Sequence, residues 1–241
     1  MTTLFGWGPM FDCPSPSPFV MKSDIQLQML GVDFDRAIAD LEAVSKHKAP
    51  YVEDDGQIIQ DSNFIRAHFE KKLGRSLNDG LTPREQALSW ALERMAEGHL
   101  NAVMAGERWM NEANFRKGPA SFFMGAPEPM RETVIRETLD TMRQTRWQSG
   151  IGRHSHDEQL QLAGFDLAAI AAQLSDRLFL LGDEPTVADA SISAVLISCA
   201  TPYFDTPLVE MVHAHANLPG YIRRMRESYL PEGVWPELQM A

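Results

Sequence analysis

Short apolar runs alternate with helical spacing over the first 75 residues of the chain. Thr2–Trp7 is apolar and β-favouring, and it predicts a first strand. Ser17 suits the N-cap of a helix that has Pro18 in its first turn and Gly31 at its end. Val32–Phe34 is predicted as a second strand. The order up to this point is β-α-β.

A hairpin and a second helix complete this region. Pro50–Glu53 and Gln57–Gln60 are predicted strands joined by Asp54-Asp55-Gly56, a strong turn signal. Apolar residues with helical spacing then begin at Ser62 and stop at Gly74. The sequence therefore predicts a small α+β domain over residues 1–75.

Beyond residue 82 the pattern is helical throughout. Thr82-Pro83-Arg84-Glu85 and Ser155-His156-Asp157-Glu158 both have the form of a capping box, a common helix start. Apolar periodicity predicts helices at 83–113, 130–148, 155–175, 187–200, 205–215 and 218–229. We expect an all-helical domain over residues 82–241, joined to the first by a linker at 76–81.

Composition and charge narrow the choice of partners. Apolar residues make up 44% of the 241 residues, which is enough for a sizeable core. The 33 acidic and 22 basic side chains give a net charge of −11. Because the phosphate backbone of nucleic acids attracts basic surfaces, we expect no nucleic-acid partner.

Cysteine usage and hydropathy bear on the compartment. Cys13 and Cys199 cannot form a disulfide framework, and no Cys/His group has zinc spacing, so we expect a reducing environment and no metal. The first residues lack a basic segment followed by a long apolar stretch, and no apolar run approaches the roughly 20 residues that span a bilayer. We expect a soluble, cytoplasmic protein with no membrane span.

Four local signatures occur in order along both predicted domains. They are Ser17-Pro18-Phe19-Val20, Ala49-Pro50-Tyr51-Val52, Asp61-Ser62 and Gly182-Asp-Glu-Pro-Thr-Val-Ala-Asp189. In this arrangement the chain resembles the glutathione-transferase superfamily. The resemblance implies an α+β fold with a thioredoxin-like, glutathione-binding N-terminal domain and an all-α C-terminal domain. It also implies glutathione as co-substrate and a homodimer.

Three further segments are similar to one branch of that superfamily. They are Met95-Ala-Glu97-Gly-His99 together with Trp109, Gly150-Ile-Gly-Arg153, and Arg223-Arg224 together with Trp235-Pro236. The branch they resemble contains the failed-axon-connections and metaxin-like proteins.

The resemblance implies a glutathione site in the first domain. In the family, the residue before a cis-proline pairs its backbone with the cysteinyl moiety, here Ala49 before Pro50. An ordinary trans proline at a strand start is the alternative for Pro50. Asp61 and Ser62 stand where the family binds the γ-glutamyl group, and a helix start suits a carboxylate. Simple helix capping by the same two residues is the alternative, and the two roles can coexist.

Ser17 is the catalytic candidate. Its hydroxyl, at a helix N-terminus, can donate to the glutathione sulfur and favour the thiolate, whereas a simple N-cap is the alternative. Cys13 is the rival, because Cys13-Pro14-Ser15 is similar to the glutaredoxin-like cysteine classes. A helix opening at Cys13 would contain Pro18 where it disrupts the helix, so we expect Cys13 in the preceding loop.

Glu97, His99 and Trp109 fall on the helix that, by resemblance, lines the cleft for a second substrate. Residues 97 and 99 do not share a helix face, so at most one need point into the cleft. A partly buried structural histidine is the alternative for His99. The H-x-H pairs at 154–156 and 213–215 diverge on a helix and predict no metal site.

Two functions fit these features. The first is a glutathione transferase, an enzyme that lowers the thiol pKa of bound glutathione and directs the thiolate at a small electrophile. The second is a non-catalytic binding or assembly protein of the metaxin-like type with the same fold. The Asp61-Ser62 pair favours glutathione binding and says little about turnover.

Overall fold

The computed structural model describes residues 1–236, and four strands form a mixed sheet in its N-terminal part. Their bounds are β1 Thr2–Gly6, β2 Asp35–Ile38, β3 Tyr51–Asp54 and β4 Gln57–Gln60. The order across the sheet is β2-β1-β3-β4. Strand β1 is parallel to β2, and β3 is antiparallel to both β1 and β4.

Two helices cover one face of this sheet. They are α1, Pro18–Met29, and α2, Ser62–Leu73. Leu4, Val52 and Ile59 lie side by side on neighbouring strands because the antiparallel registers align them. They form one buried cluster with Leu27 and Leu30 at the end of α1 and with Ile65 and Phe69 of α2. The small core thus holds both helices against the sheet.

The remainder of the described chain is helical. The helices are α3 Pro83–Met95, α4 Asn101–Trp109, α5 Glu112–Lys117, α6 Glu128–Ser149, α7 His156–Leu174, α8 Val187–Ala200, α9 Leu208–His213 and α10 Leu218–Tyr229. A π-helical turn, Ala96–Leu100, joins α3 to α4, and short 3₁₀ helices occupy Pro119–Phe123 and Ile151–Arg153. The predicted order, an α+β domain followed by a helical domain, is confirmed.

Helix α8 is the centre of the helical part. Every residue from Val187 to Cys199 is buried, as expected for a helix that is apolar on all sides. It packs against α3 and α10 and against α1 of the first domain. Its start is a capping box, in which the Asp189 carboxylate accepts from the Thr186 backbone N–H at 2.8 Å and from its hydroxyl at 3.0 Å. Tyr221 also donates to this carboxylate, at 3.0 Å.

The structure corrects the predicted second strand. The strand is Asp35–Ile38 rather than Val32–Phe34. Its pairing with β1 begins where Thr3 lies opposite Asp35. Val32 and Phe34 instead pack against the small core, so their apolar character reflects burial and not strand pairing.

The predicted helix at 83–113 was also wrong as a single element. The π-helical turn interrupts it, and α4 ends at Trp109. Asn111 then starts a new helix by accepting from the Asn114 backbone N–H at 3.1 Å. An N-cap asparagine inside an apolar pattern is the local signal for this break.

Helix α6 is the least buried of the long helices. It begins at Glu128, directly after Pro127, and none of its 22 residues is buried. Over residues 1–236, no helix is both long enough and apolar enough to cross a membrane.

Candidate functional site

Ser17 sits at the start of α1, where the chain enters the helix from an extended conformation. It is the N-cap, and its hydroxyl oxygen accepts from the Val20 backbone N–H at 3.4 Å. Pro18 occupies the first helical position, where its missing N–H costs no hydrogen bond. The predicted capping role is therefore present, and the long Val20 contact leaves the hydroxyl able to turn toward another partner.

A cavity of about 540 Å³ opens in front of Ser17, between the sheet domain and the helices. We call it the Ser17 cavity. Its walls are mainly aromatic and apolar, with Trp7, Phe19, Met104, Trp109 and Phe122 among them. The polar lining side chains include Ser17, Asn101 and Arg108. Of the predicted cleft residues, the structure places Trp109 in this wall.

A smaller cavity, the Ser62 cavity, adjoins the first. Its volume is about 110 Å³. It brings together the four residues predicted to bind glutathione, two lysines and one phenylalanine: Ala49, Pro50, Asp61, Ser62, Lys46, Lys48 and Phe19. Phe19 lines both cavities. The two cavities are therefore neighbours, with Ser17 in the wall of one and Ser62 in the wall of the other.

The backbone of the Ser62 cavity is unusual at two positions. The Ala49–Pro50 peptide bond is cis, which confirms the prediction. Asp61 has φ +86°, a region that non-glycine residues rarely occupy and that is often associated with functional sites. Its backbone N–H donates to the Pro50 carbonyl at 3.3 Å, so the cis-proline and the start of α2 are directly joined.

Asp61, rather than Ser62, caps α2. Its carboxylate accepts from the Asn63 backbone N–H at 3.0 Å. Ser62 is the first helical residue and is buried against the cavity wall. The capping alternative thus applies to Asp61, which leaves Ser62 at the position where a helix N-terminus presents its amides to an anion.

The sequence reasoning missed Lys46 and Lys48. Lys46 donates to the Gln60 carbonyl at 3.2 Å and lies 4.7 Å from the centre of the Phe64 ring. Lys48 is exposed at the mouth of the Ser62 cavity. The sequence feature that indicates them is the short basic segment just before Ala49-Pro50, which stands out little in a chain with an acidic net charge. Together they make this edge of the domain attractive to a carboxylate.

Cys13 lies in the loop before α1, as predicted, but it does not line the Ser17 cavity. Its side chain is 2% exposed, with Sγ 3.9 Å from the Ile197 carbonyl and 4.0 Å from Nη2 of Arg108. Burial raises the pKa of the Cys13 thiol, and the Arg108 charge only partly offsets this. The thiol is protonated at neutral pH and is a poor nucleophile.

Arg108 on α4 was not predicted from the sequence. It is 5% exposed, and its guanidinium donates to the Pro16 carbonyl at 3.0 Å and to the Ser198 carbonyl at 2.7 Å. It also lies 4.9 Å from the centre of the Phe204 ring. Burial lowers the pKa of the guanidinium. An arginine inside a helix carries no sequence signal of such burial.

Glu97 and His99 do not line the Ser17 cavity, contrary to the prediction. Glu97 turns toward α1 and α8, where Lys22 donates to it at 2.7 Å and the Ser191 hydroxyl at 2.6 Å. His99 Nδ1 lies 2.5 Å from the Asp166 carboxylate on α7. Both side chains hold helices together, so the structural alternative describes them. In residues 1–236, no cluster of three metal-ligating side chains occurs.

A thioredoxin-like sheet domain, a helical domain and a cavity between them define the class to which the chain belongs. A model of the glutathione S-transferase N-terminal domain matches residues 18–114, and one of the glutathione S-transferase C-terminal domain matches residues 163–225. The chain belongs to the glutathione-transferase superfamily. Residues 115–162, which include α6, lie outside both matches.

Two relatives are similar along nearly the whole chain. The isoprene-epoxide–glutathione S-transferase of Rhodococcus sp. (strain AD45) is 29% identical over 95% of this chain and 99% of its own length. Failed axon connections of Drosophila melanogaster is 27% identical over 93% of this chain, which spans 56% of that protein.

Solved structures share the fold. Glutathione S-transferase III in its apo form aligns with a TM-score of 0.62 and 16% identity, over 98% of each chain. A glutathione S-transferase of Methylobacterium radiotolerans, complexed with glutathione sulfonate, aligns with a TM-score of 0.61 and 19% identity, over 98% of this chain and 96% of the other.

Proposed function

We propose that the protein is a glutathione transferase. In this proposal the Ser62 cavity binds glutathione, Ser17 stabilises its thiolate, and the thiolate attacks an electrophile held in the Ser17 cavity. The observation that carries the proposal is that the two cavities are neighbours, since Phe19 lines both.

The Ser62 cavity matches the chemistry of glutathione, an anionic tripeptide. The γ-glutamyl carboxylate would receive hydrogen bonds from the Ser62 hydroxyl and the first amides of α2, where the helix dipole favours negative charge. The backbone of Ala49, which precedes the cis bond to Pro50, would pair with the cysteinyl amide. Lys46 and Lys48 add positive charge beside the same groove.

The sulfur would then lie at the N-terminus of α1. A hydroxyl donor and the helix dipole both favour the anionic form of a thiol placed there. Ser17 donates to the sulfur without itself becoming a nucleophile. Cys13 is the weaker candidate because it is buried outside this cavity.

The electrophile would be small and largely apolar. The aromatic lining of the Ser17 cavity favours apolar bodies, and Trp109 and Phe122 offer faces for stacking. The relative that is named an isoprene-epoxide–glutathione S-transferase supports an epoxide as the electrophile. Phe122 comes from the segment outside both family models, so we propose that this segment sets substrate preference.

A non-catalytic binding or assembly protein of the metaxin-like type is the second candidate. It is favoured by the similarity to Failed axon connections, which extends over 93% of the chain.

We also propose that the protein is cytoplasmic, since both thiols are free. A homodimer is also proposed, and the exposed Phe64 and Trp90 on α2 and α3 offer apolar surface for it.

Calorimetric titration with glutathione, combined with a melting curve, tests the proposal. A ligand that binds only the folded state stabilises it by about 2.7 kcal/mol at a hundredfold excess over Kd. We expect a heat of binding, a higher Tm, and conjugation of 1-chloro-2,4-dinitrobenzene or styrene oxide. Binding without turnover of any electrophile would favour the assembly protein. If millimolar glutathione gives no heat of binding and leaves the Tm unchanged, the protein neither binds nor conjugates glutathione.

A further inference from the structure

Arg108 carries a buried positive charge that no carboxylate balances within residues 1–236. Its hydrogen-bond partners are the neutral carbonyls of Pro16 and Ser198, and its nearest aromatic contact is Phe204. The Nε atom is buried without a hydrogen-bond partner. Burying a charge costs free energy unless an opposite charge lies close to it. An anion bound near Arg108 would therefore stabilise this arrangement.

The two cysteines close to Arg108 do not supply that anion. Burial raises the pKa of the Cys13 thiol, and it raises the pKa of Cys199 to about 12. Both thiols are therefore neutral at physiological pH. The contact between Cys13 Sγ and the guanidinium, at 4.0 Å, is one between a thiol and a cation.

The position of Arg108 points to the Ser17 cavity as the place of the missing anion. The guanidinium is bound to the carbonyl of Pro16, which belongs to the peptide unit that leads into Ser17. Arg108 and Ser17 line the same cavity. Of the side chains that line this cavity, Arg108 alone is charged among the described residues.

We propose that Arg108 is the counter-charge of the glutathione thiolate and lowers the thiol pKa from the helical domain. The inference rests on the proposed function, because it needs glutathione in the site. The thiol proton leaves to water, and the sulfur keeps the electron pair that later forms the bond to the electrophile. Ser17 donates a hydrogen bond to the sulfur, and the positive charge of Arg108 stabilises the thiolate electrostatically through space.

Arginine suits this role for physical reasons. It stays protonated even where burial lowers its pKa, because its ordinary pKa is so high. Water and salt screen a charge poorly in a buried wall, so its effect on a nearby anion is larger than at the surface. The hydrogen bonds to Pro16 and Ser198 hold the guanidinium in place.

The test measures the thiol pKa of bound glutathione by ultraviolet thiolate absorbance as a function of pH. Arg108→Met should raise that pKa by at least about one unit, the usual effect of removing a nearby opposite charge. Arg108→Lys should keep most of the lowering. S-methylglutathione, which has no ionisable sulfur, should bind Arg108→Met within about twofold of the wild type.

Arg146→Met is the matched control. Arg146 is another arginine whose guanidinium donates to a backbone carbonyl, that of Ala102, but it does not line the Ser17 cavity. Its replacement should leave the thiol pKa unchanged. If Arg108→Met does not fold, Arg108→Gln, which keeps a donor for the Pro16 carbonyl, gives the same readout.

An unchanged thiol pKa in the charge-removing variant would overturn the inference while leaving the proposed function standing. If the affinities for glutathione and S-methylglutathione then fall equally, Arg108 is a structural clamp. If neither ligand binds the wild type, the proposed function itself fails, and the inference fails with it.

Discussion

Lys22 on α1 and Glu97 in the π-helical turn form a buried ion pair, with Nζ and Oε1 2.7 Å apart. Lys22 also lies 3.3 Å from Glu93 and donates to Asn63 at 2.7 Å. The pair joins the sheet domain to the helical domain. It also reaches Asn63, which directly follows Ser62 at the start of α2.

Lys22→Met should destabilise the protein strongly. Removing Lys22 leaves the buried carboxylates of Glu93 and Glu97 with Arg94 as their remaining ion-pair partner. Loss of one partner of a buried pair typically costs about 3–5 kcal/mol. Urea unfolding should show this loss as a lower midpoint. The control is Lys71→Met, which removes an exposed lysine from α2 and should change stability little. Equal midpoints for the two variants would show that the pair contributes nothing.

Ser62→Ala should weaken glutathione binding more than it weakens the fold. The lost hydrogen bond to a carboxylate is worth roughly 1.5–3 kcal/mol, or about ten- to a hundredfold in Kd. Stability should change by less than the binding free energy does, because Asp61 provides the cap. Calorimetry and melting curves separate the two effects. An unaltered Kd would mean that Ser62 does not touch the ligand.

Ser17→Ala should leave binding largely intact and raise the thiol pKa of bound glutathione. A hydrogen bond to a charged group corresponds to about one to two pKa units. The conjugation rate at neutral pH should fall accordingly, and the lost cap should cost roughly 1 kcal/mol of stability. Thiolate absorbance against pH measures the shift. Coincident titrations of variant and wild type would leave Ser17 as a cap alone.

Cys13→Ser should retain the conjugation rate. The thiol is buried beside Ile197 and Arg108, does not line the Ser17 cavity, and has a raised pKa. Steady-state kinetics with one electrophile at several pH values make the comparison. Abolished turnover in a folded Cys13→Ser protein would identify the loop cysteine as the reactive group.

Asp54 should make the fold sensitive to acid. Burial alone would raise the pKa of this carboxyl, but hydrogen bonds from His68, Lys72 and Thr2 outweigh it and hold the pKa well below its usual range. A lowered folded-state pKa stabilises the protein fully above the unfolded value of roughly 4. That contribution is lost as the pH falls below it toward the folded-state value.

Urea unfolding between pH 7 and pH 3 measures this dependence. The wild type should lose stability on acidification more steeply than Asp54→Asn, which has no carboxylate to protonate at this position. The controls are the same titrations of Asp79→Asn, which changes an exposed carboxylate in the linker. Parallel slopes for the wild type and Asp54→Asn would contradict the assignment.

Local features of the sequence determined much of the fold. The start of α1 at Ser17-Pro18, the β3–β4 hairpin and the capping box at Thr82 depend on neighbours within a few residues, so the sequence alone was enough to predict them. The grouping of Ala49, Pro50, Asp61 and Ser62 in one cavity followed from the family resemblance, since short-range pattern does not place distant residues together.

Tertiary structure decided the rest of the site. Nothing in the local sequence distinguishes the charged positions in α1, the π-helical turn and α4. The packing of these elements places Arg108 in the wall of the Ser17 cavity and pairs Lys22 with Glu97. Sequence spacing fixes the face of a regular helix, but the π-helical turn at Ala96–Leu100 breaks that periodicity. Whether a buried charge has a partner depends on contacts between residues about 75 to 92 positions apart, which local pattern does not encode.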